Sequence, residues 1–294
     1  MKFQALEAYL ERLQLRKQGD EKLWVDEFGR VQGRFRDSSL TSVFQAIIGL
    51  GDRKLFGFEA FTHSYSPTDG GLSIWQLLMN GATDDESIEL DRLARTIHVI
   101  NFFRQQAQEG SSVLIDVHDR LLTAIGSNHG MAFRRIIKGL GLPQEKIILQ
   151  LPAVKTSQSW ALAQVIDNYK LNGFSVATRA TSIDEAIFQI NLMRPSVVRI
   201  DITCIGNGEK LADLINVAAT HSVQLVFARV EHRHEVSLLS DAAAQTNFDR
   251  HHILVQGPLV AEPKPELPII GGDLDSAFNR EQRQGTGDIP EHNV

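Results

Sequence analysis

Short apolar runs alternate with amphipathic segments along most of the chain, beginning at about residue 42. Runs such as Val113-Leu114-Ile115 and Ile147-Ile148-Leu149 are apolar at every position, which is typical of parallel strands buried on both faces. The predicted strands are 42–48, 55–60, 111–117, 146–151, 174–178, 196–201, 224–228 and 253–256. The predicted helices are 87–109, 130–139, 156–171, 183–193, 207–220 and 233–246. This alternation predicts an α/β fold, and eight strands favour closure into a (β/α)8 barrel of the TIM type.

Two further segments flank the predicted barrel, which spans residues 41–264. Residues 1–40 are predicted to form an N-terminal helical extension and a lead-in of turns. The apolar positions of this helix, at steps of three and four, are Phe3, Leu6, Leu10 and Leu13. We expect this stripe to be buried on the barrel of the same chain or against a second copy. Residues 265–294, rich in Gly and polar residues, predict a flexible C-terminal tail.

Composition restricts the classes of function that the chain can have. The 294 residues carry a formal net charge of −6, whereas binding to nucleic acid through a basic surface needs an excess of Lys and Arg. The single cysteine, Cys204, excludes an internal disulfide framework and a thiolate zinc cluster. No run approaches 18 uninterrupted apolar residues, so no membrane span is expected. We therefore expect a cytoplasmic protein that contacts neither nucleic acid nor a membrane.

Polar and charged residues stand where the predicted strands end. In a (β/α)8 barrel the functional site forms at the C-terminal ends of the strands. The residues at those ends are Glu59, Asp116, Leu151 to Ala153, Arg179, Arg199, Asp201, Ala228 to Glu231 and Gln256. Any chemistry of this barrel is expected among them.

Several motifs at these ends resemble those of the EAL family, bacterial phosphodiesterase domains that hydrolyse cyclic-di-GMP on a modified (β/α)8 barrel. Gly57-Phe58-Glu59-Ala60-Phe61 resembles G-Y-E-A-L, and Val198-Arg199-Ile200-Asp201 resembles L-K-I-D. The other matching segments are Phe44 to Ile47 (F-Q-P-I), Leu90-Asp91 (L-D), Leu114 to Val117 (V-N-V), Ala228 to Glu231 (E-G-V-E) and Gln256 to Leu259 (Q-G-Y-L). Their order and spacing over residues 40–263 make the chain similar to a degenerate member of this family.

The resemblance implies a site for two divalent cations, Mg²⁺ or Mn²⁺, which activate a water molecule for hydrolysis. Glu59 and Gln256 match the family's residues. Asp116 stands where the family has Asn, and Arg199 stands where it has a catalytic Lys. The positions that have lost their family residue are Ala153, Arg179, Ala180 and Ala228. The resemblance therefore implies that the catalytic residues are incomplete.

Charge indicates what these replacements imply for metal binding. Two carboxylates, Glu59 and Asp116, face two guanidinium groups, Arg179 and Arg199, so their formal charges sum to zero. A site of this kind lacks the negative charge that offsets the desolvation of divalent cations. We expect no metal cofactor, with Mg²⁺ or Mn²⁺ required only if hydrolysis persists.

The arginines at the strand ends allow two interpretations. Arg179, Arg199 and Arg229 together are able to bind an anion without metal. Alternatively, they pair with the retained acidic positions in a salt-bridged cluster, which the sequence favours. Those acidic positions are Glu59, Asp116, Asp201 and Glu231.

The sequence favours a function without catalysis. It predicts an EAL-like regulatory protein that acts by binding another protein, in bacterial signalling or transcription control, with a homodimer as one form of such contact. Binding of cyclic-di-GMP is disfavoured, because the arginine of the family's E-A-L-x-R segment is replaced by His63. The alternatives are a cyclic-di-GMP receptor that does not hydrolyse its ligand and a weak cyclic-di-GMP-specific phosphodiesterase.

Overall fold

The structure is a computed structural model, and it describes residues 3–15, 22–65, 83–105, 110–118, 129–153, 159–206, 208–246 and 252–268. The strands in these ranges are β1 (Leu23–Val25), β2 (Val31–Phe35), β3 (Ser38–Gly49), β4 (Leu55–Tyr65), β5 (Ser112–Asp116), β6 (Ile147–Leu151), β7 (Ser175–Ala180), β8 (Val197–Asp201), β9 (Gln224–Ala228) and β10 (Ile253–Val255). The α-helices are α1 (Gln4–Leu15), α2 (Asp84–Phe103), α3 (His129–Gly139), α4 (Ser159–Leu171), α5 (Ile183–Met193), α6 (Leu211–Thr220) and α7 (Arg233–Ala244).

Strands β3 to β10 close into a barrel. Each strand from β4 to β10 pairs in parallel with the next, and β3 pairs with both β4 and β10 to complete the circle. The predicted α/β barrel is therefore confirmed. One strand departs from the regular (β/α)8 pattern, because β3 is antiparallel to both of its barrel neighbours. A short turn joins β3 directly to β4, and a connection of that length allows only an antiparallel pair.

The two hairpin strands are longer than the sequence pattern predicts. Strand β3 covers Ser38–Gly49 and β4 covers Leu55–Tyr65, whereas the predicted strands are 42–48 and 55–60. The extra residues pair with each other, for example Ser39 with Tyr65, so the hairpin continues beyond the barrel wall. An apolar pattern misses the start of β3 because Ser38, Ser39 and Thr41 are polar, although Ser38, Leu40 and Thr41 are buried.

The N-terminal lead-in is part of the same sheet. Strands β1 and β2 extend the sheet outward from β3, so the predicted boundary at residue 40 falls inside β3. The side-chain amide of Asn101 on α2 holds the outer strand β2: its Oδ1 accepts from the Val31 backbone N–H at 2.8 Å, and its Nδ2 donates to the Val31 carbonyl at 2.8 Å. A single buried side chain thus satisfies both backbone groups of Val31.

The C-terminal segment still contacts the rest of the chain beyond residue 265, where the sequence predicted a flexible tail. The backbone of Lys264 bonds to that of Phe44 in both directions, at 2.7 and 3.0 Å. The side chain of Gln105 donates to the Pro265 carbonyl and accepts from the Leu267 N–H. The predicted start of a flexible tail at residue 265 is therefore too early. Residues 269–294, which make up the rest of that predicted tail, lie outside the described residues.

Two layers of side chains fill the barrel. The lower layer is apolar and consists of Ile47, Leu114, Ile148, Ala177, Val197, Val226 and Leu254, with Phe56 packed against it. Successive side chains of a strand point to opposite faces, so the residue two positions further along also points inward. On β5 to β10 those residues are Asp116, Gln150, Arg179, Arg199, Ala228 and Gln256. A mainly polar layer therefore lies directly above the apolar one, at the C-terminal ends of the strands.

Helix α1 buries its apolar stripe within the chain. Leu6 and Leu13 are buried in the main hydrophobic core, and Phe3 and Leu10 are partly buried against it. The ring of Phe3 lies 5.4 Å from that of Phe103 at the end of α2. The sequence allowed this stripe to pack against the same chain or against a second copy. In the structure it packs against the same chain. In the part of the chain that the structure describes, no helix is long and apolar enough to cross a membrane.

The packing of α1 predicts a large difference between two leucines of the same helix. The side chain of Leu6 is 2% exposed, whereas that of Leu15 is 85% exposed. We expect Leu6→Ala to lower the free energy of unfolding by about 2–4 kcal/mol, and Leu15→Ala to change it by less than about 0.5 kcal/mol. Denaturant unfolding measures both values. Light scattering that showed a lower mass for Leu6→Ala, without a loss of stability, would contradict the intramolecular contact.

Candidate functional site

A fully buried carboxylate, that of Glu59 on β4, is the centre of the polar layer. Its side chain has no exposed surface. Gln150 Nε2 donates to one of its oxygens and Gln256 Nε2 donates to the other, each at 2.7 Å. The Glu59 carboxylate is therefore held by amides from β6 and from the residue that follows β10.

Two arginines approach the same carboxylate. Arg179 Nη2 lies 3.4 Å from Glu59 Oε1, and Arg199 Nε lies 3.4 Å from Glu59 Oε2. Arg179 bonds more closely to Asp116, with Nη2 2.8 Å from both carboxylate oxygens. Gln150 completes the cluster by donating to Asp116 Oδ1 at 2.6 Å. The ion pairs that the sequence favoured between these arginines and acids are present.

Every carboxylate oxygen of Glu59 and Asp116 already faces at least one N–H donor from these partners. A cation at these oxygens would have to displace the donors and would meet the positive charge of Arg179. Burial alone would lower the pKa of Arg179, but the charges of Asp116 and Glu59 outweigh it and raise the pKa above its usual value. Among the described residues, no group of three or more His, Cys, Asp or Glu side chains is placed to hold a metal ion.

Gln150 is the member of this cluster that the sequence analysis missed. It bridges the two carboxylates, and only 1% of the residue is exposed. The signal was available, since Gln150 interrupts an otherwise apolar strand and pairs in register with Asp116 on the adjacent strand. In a parallel ladder, paired residues point to the same face, so a polar residue opposite Asp116 is expected to point into the barrel.

A second, more exposed pair lies at the rim of the barrel. Arg229 Nη1 donates to Asp201 Oδ2 at 3.1 Å, and the other oxygen of Asp201 accepts from the backbone N–H and hydroxyl of Thr203. Burial alone would raise the pKa of Asp201, but the Thr203 hydrogen bonds and the charge of Arg229 outweigh it and keep the pKa below its usual value. Arg229 has φ of 59°, a left-handed conformation that favours glycine.

The other predicted site positions contribute little polar chemistry. Ala180 and Ala228 are buried apolar side chains at the ends of β7 and β9, and Ala153 is exposed just after β6. Glu231 is exposed, and its backbone N–H donates to Glu235 at 2.8 Å. The segment after β7 starts a helix, since the Ser182 side chain caps α5 by accepting from the Glu185 N–H.

A pocket of about 590 Å³ opens beside the cluster. Its lining residues are Ala60, Phe61, Thr62, Asp91, Ala94, His98, Asp116, Val117, His118, Pro152, Arg179 and Arg199. One wall is helix α2, whose Asp91 accepts from the His118 backbone N–H at 2.9 Å and so fixes the chain just beyond β5. Arg95 pairs with Asp91, and both are buried. A volume of this size is typical of small-molecule sites.

The same wall contains a buried neutral histidine. His98 Nδ1 lies 2.8 Å from the Ser42 hydroxyl, and His98 Nε2 lies 3.2 Å from the Thr62 hydroxyl. Burial lowers the pKa of His98 to about 3, because a charged imidazole would lose its hydration. At neutral pH, His98 is therefore a neutral hydrogen-bonding group that joins α2 to β3 and β4.

Comparison with models of protein families identifies the family of this chain. The model of the EAL domain matches residues 29–263, which is most of the chain. The chain belongs to the EAL domain family. No curated protein matches the chain in sequence.

Solved EAL structures share the barrel at low sequence identity. A standalone EAL protein from Vibrio cholerae, in its c-di-GMP-bound form, has 17% identity and a TM-score of 0.62, covering 82% of this chain and 99% of its own. The FimX EAL domain of Xanthomonas citri in complex with c-di-GMP has 17% identity and a TM-score of 0.62, covering 79% of this chain and 91% of its own. Identities this low establish the fold of the EAL domain and nothing finer.

A third structure holds the dinucleotide without metal. BlrP1 of Klebsiella pneumoniae, with FMN and cyclic-di-GMP and no metal ions, has 16% identity and a TM-score of 0.58. The match covers 78% of this chain and 54% of BlrP1, so this chain corresponds to about half of that protein.

These neighbours contradict the prediction that cyclic-di-GMP binding is disfavoured. All three structures contain the dinucleotide. The prediction weighed the replacement of an arginine by His63, but His63 is exposed on β4, and Arg179 and Arg199 line the pocket instead. The sequence argument gave too much weight to the lost arginine and too little to Arg179 and Arg199, so its conclusion that cyclic-di-GMP binding is disfavoured was wrong.

The left-handed backbone of Arg229 predicts that a glycine variant is more stable than an alanine variant, the reverse of the usual order. Arg229→Ala and Arg229→Gly both remove the ion pair with Asp201, but only Gly relieves the steric conflict of a Cβ atom at positive φ. We expect Arg229→Gly to be more stable than Arg229→Ala by about 1 kcal/mol in denaturant unfolding. Equal stabilities, or a more stable alanine variant, would mean that this backbone conformation is not maintained in solution.

Burial of His98 predicts a pH dependence of stability. Between pH 6.5 and about 3 the unfolded chain binds a proton at His98 that the folded chain does not, so stability falls as the pH falls through this window. The His98 contribution amounts to about 1.4 kcal/mol per pH unit. His98→Asn keeps a polar group without titrating there, and we expect its unfolding free energy to decline less steeply than that of the wild type. Parallel curves for the two proteins would refute this assignment.

Proposed function

We propose that this EAL domain binds cyclic-di-GMP at the mouth of its barrel without hydrolysing it and acts as a regulatory receptor. One observation supports the proposal most strongly, namely that the Arg179 guanidinium lies between the carboxylates of Glu59 and Asp116. A positive charge that belongs to the protein thus occupies the place between two carboxylates where hydrolysis would need a divalent cation.

A guanidinium cannot perform the chemistry of the metal. A bound cation lowers the pKa of water to produce a nucleophile and coordinates the leaving oxygen, whereas an arginine offers only N–H donors. The pKa of Arg179 is raised, so the side chain stays protonated and is unable to act as a base. The cluster also has no net charge, since two arginines offset two carboxylates. Metal-dependent hydrolysis is therefore not expected.

A guanidinium can nevertheless replace the metal in binding. Arginines donate paired hydrogen bonds to phosphate oxygens, and the planar group fits two oxygens at once. Arg179 and Arg199 both line the pocket, next to apolar and hydroxyl side chains that are suited to contact a nucleoside. The BlrP1 structure, which contains cyclic-di-GMP and no metal ions, supports binding of the dinucleotide without cations.

A receptor of this kind acts by changing its contacts with another molecule when the ligand binds. Because we expect no hydrolysis, the output has to be a binding event, and a protein partner in a bacterial signalling circuit is the form that we propose. The dinucleotide is then the input rather than a substrate.

Calorimetric titration of metal-free protein with cyclic-di-GMP tests the proposal. We expect binding without added metal, and we expect Arg179→Met to weaken it by roughly 10- to 100-fold, because charge-assisted hydrogen bonds contribute about 1.5–3 kcal/mol. Arg179→Lys is the matched control, because it keeps the charge and removes the planar guanidinium. Its affinity should fall between those of the wild type and Arg179→Met. Thermal unfolding confirms that each variant is folded.

Chromatography of the dinucleotide after incubation with Mg²⁺ or Mn²⁺ tests the second part of the proposal, that the protein does not hydrolyse its ligand. No linear product is expected from the wild type. Metal-dependent formation of the linear dinucleotide that is absent from a Glu59→Ala control would establish a phosphodiesterase, and binding that requires a divalent cation would contradict the role of Arg179.

A further inference from the structure

The cluster at the barrel mouth has a fixed part and a displaceable part. Glu59 has no exposed surface and is held on both oxygens by Gln150 and Gln256. The side chain of Asp116 is 44% exposed and stands on the pocket wall. Of the two carboxylates, Asp116 is therefore the one that an incoming ligand can reach and push aside.

Asp116 uses the donor that an incoming anion would need. Nη2 of Arg179 bonds to both Asp116 oxygens at 2.8 Å and lies farther, at 3.4 Å, from Glu59. Nε of Arg179 is buried and has no hydrogen-bond partner among the described residues. An anion that pairs with Nη2 therefore has to compete with Asp116 for this donor.

A carboxylate and a phosphodiester present similar acceptors to a guanidinium. Each is a monoanion with two oxygens that share the charge, and each pairs with arginine through parallel hydrogen bonds. We propose that Asp116 is an internal mimic of the ligand phosphate: it occupies Arg179 in the free protein, is displaced when cyclic-di-GMP binds, and so limits the affinity of the site. This inference rests on the proposed receptor function and adds the residue that sets its sensitivity.

The electrostatics point in the same direction. Glu59, Asp116, Arg179 and Arg199 sum to zero charge, so the free site exerts little attraction on an anion. Neutralising Asp116 leaves a net charge of +1 and weakens the competition for Nη2 of Arg179, because a neutral oxygen is a poorer partner than a carboxylate. Neutralising an acid elsewhere changes the total charge of the protein equally but leaves Arg179 paired.

The experiment compares two variants of equal charge in metal-free protein. Asp116→Asn removes the competitor, and Asp184→Asn is the matched control, because Asp184 pairs with Lys210 at 2.8 Å and makes no bond to the cluster that the structure describes. We expect Asp116→Asn to bind cyclic-di-GMP about tenfold more tightly than the wild type, the size of one charge-assisted hydrogen bond. Asp184→Asn should stay within about twofold. Asn is the residue found at this position in the family's metal site, so Asp116→Asn restores a residue of that site. Metal is therefore removed by prior chelation.

A double variant links the gain to Arg179. In the Arg179→Met background, Asp116→Asn should give no tenfold gain, because the donor that it frees is absent. A gain of the same size in both backgrounds would overturn the inference and would reduce the effect to net charge. If Asp116→Asn proves too unstable to titrate, Asp116→Ser removes the same charge with a smaller side chain and carries the same expectation.

Inorganic pyrophosphate separates failure of the inference from failure of the proposed function. If wild type and Asp116→Asn bind the dinucleotide equally, the receptor function stands and the mimic is refuted. If neither binds the dinucleotide, but pyrophosphate raises the melting temperature of Asp116→Asn more than that of Asp184→Asn, the receptor function fails, while competition between Asp116 and an anion for Arg179 is supported. If Asp116→Asn shows no advantage with either anion, the mimic is refuted.

Discussion

The mouth of this barrel is organised around one buried charge. The carboxylate of Glu59 is inaccessible to water, and removing an ion from water costs several kcal/mol unless partners compensate for the lost hydration. Its partners come from across the barrel: Gln150 on β6, Arg179 on β7, Arg199 on β8, and Gln256 after β10. Barrel closure is what brings these residues together, since no two of them are close in the sequence. The charge therefore depends on the fold, and the polar layer of the fold is arranged to satisfy the charge.

The architecture was predictable from the sequence because it rests on a repeated pattern. Continuous apolar runs such as Val113-Leu114-Ile115 are buried on both faces, and their alternation with helices determines a parallel barrel. Features set by single contacts were not predictable. The reversed strand β3 follows from the short turn to β4, and the docking of Leu267 follows from one glutamine, Gln105. A periodicity argument contains no information about either contact.

The candidate site was only partly predictable, for a related reason. Motif resemblance pointed to Glu59, Asp116, Arg179, Arg199 and Gln256, and the structure brings all five together. Resemblance could not point to Gln150, because the residue was considered as part of an apolar strand rather than by the direction of its side chain. Strand parity, with Asp116 opposite Gln150, would have included it. The loss of one arginine, at His63, was also misleading, since it was taken to disfavour cyclic-di-GMP although Arg179 and Arg199 line the pocket.

If Arg179 takes the place of a divalent cation, as we propose, a different property controls the site. A metal has to be acquired from solution, and its ligands must stay available to receive it, whereas the guanidinium of Arg179 is present in every folded molecule. The positive charge is matched by carboxylates of the same protein, and in the proposed receptor Asp116 competes with an incoming anion for Arg179. Affinity in such a site depends on the difference between two similar hydrogen-bonded pairs, which is small compared with either pair alone. A site built this way is suited to respond to changes in ligand concentration, because binding replaces one ion pair with another and leaves the buried Glu59 undisturbed.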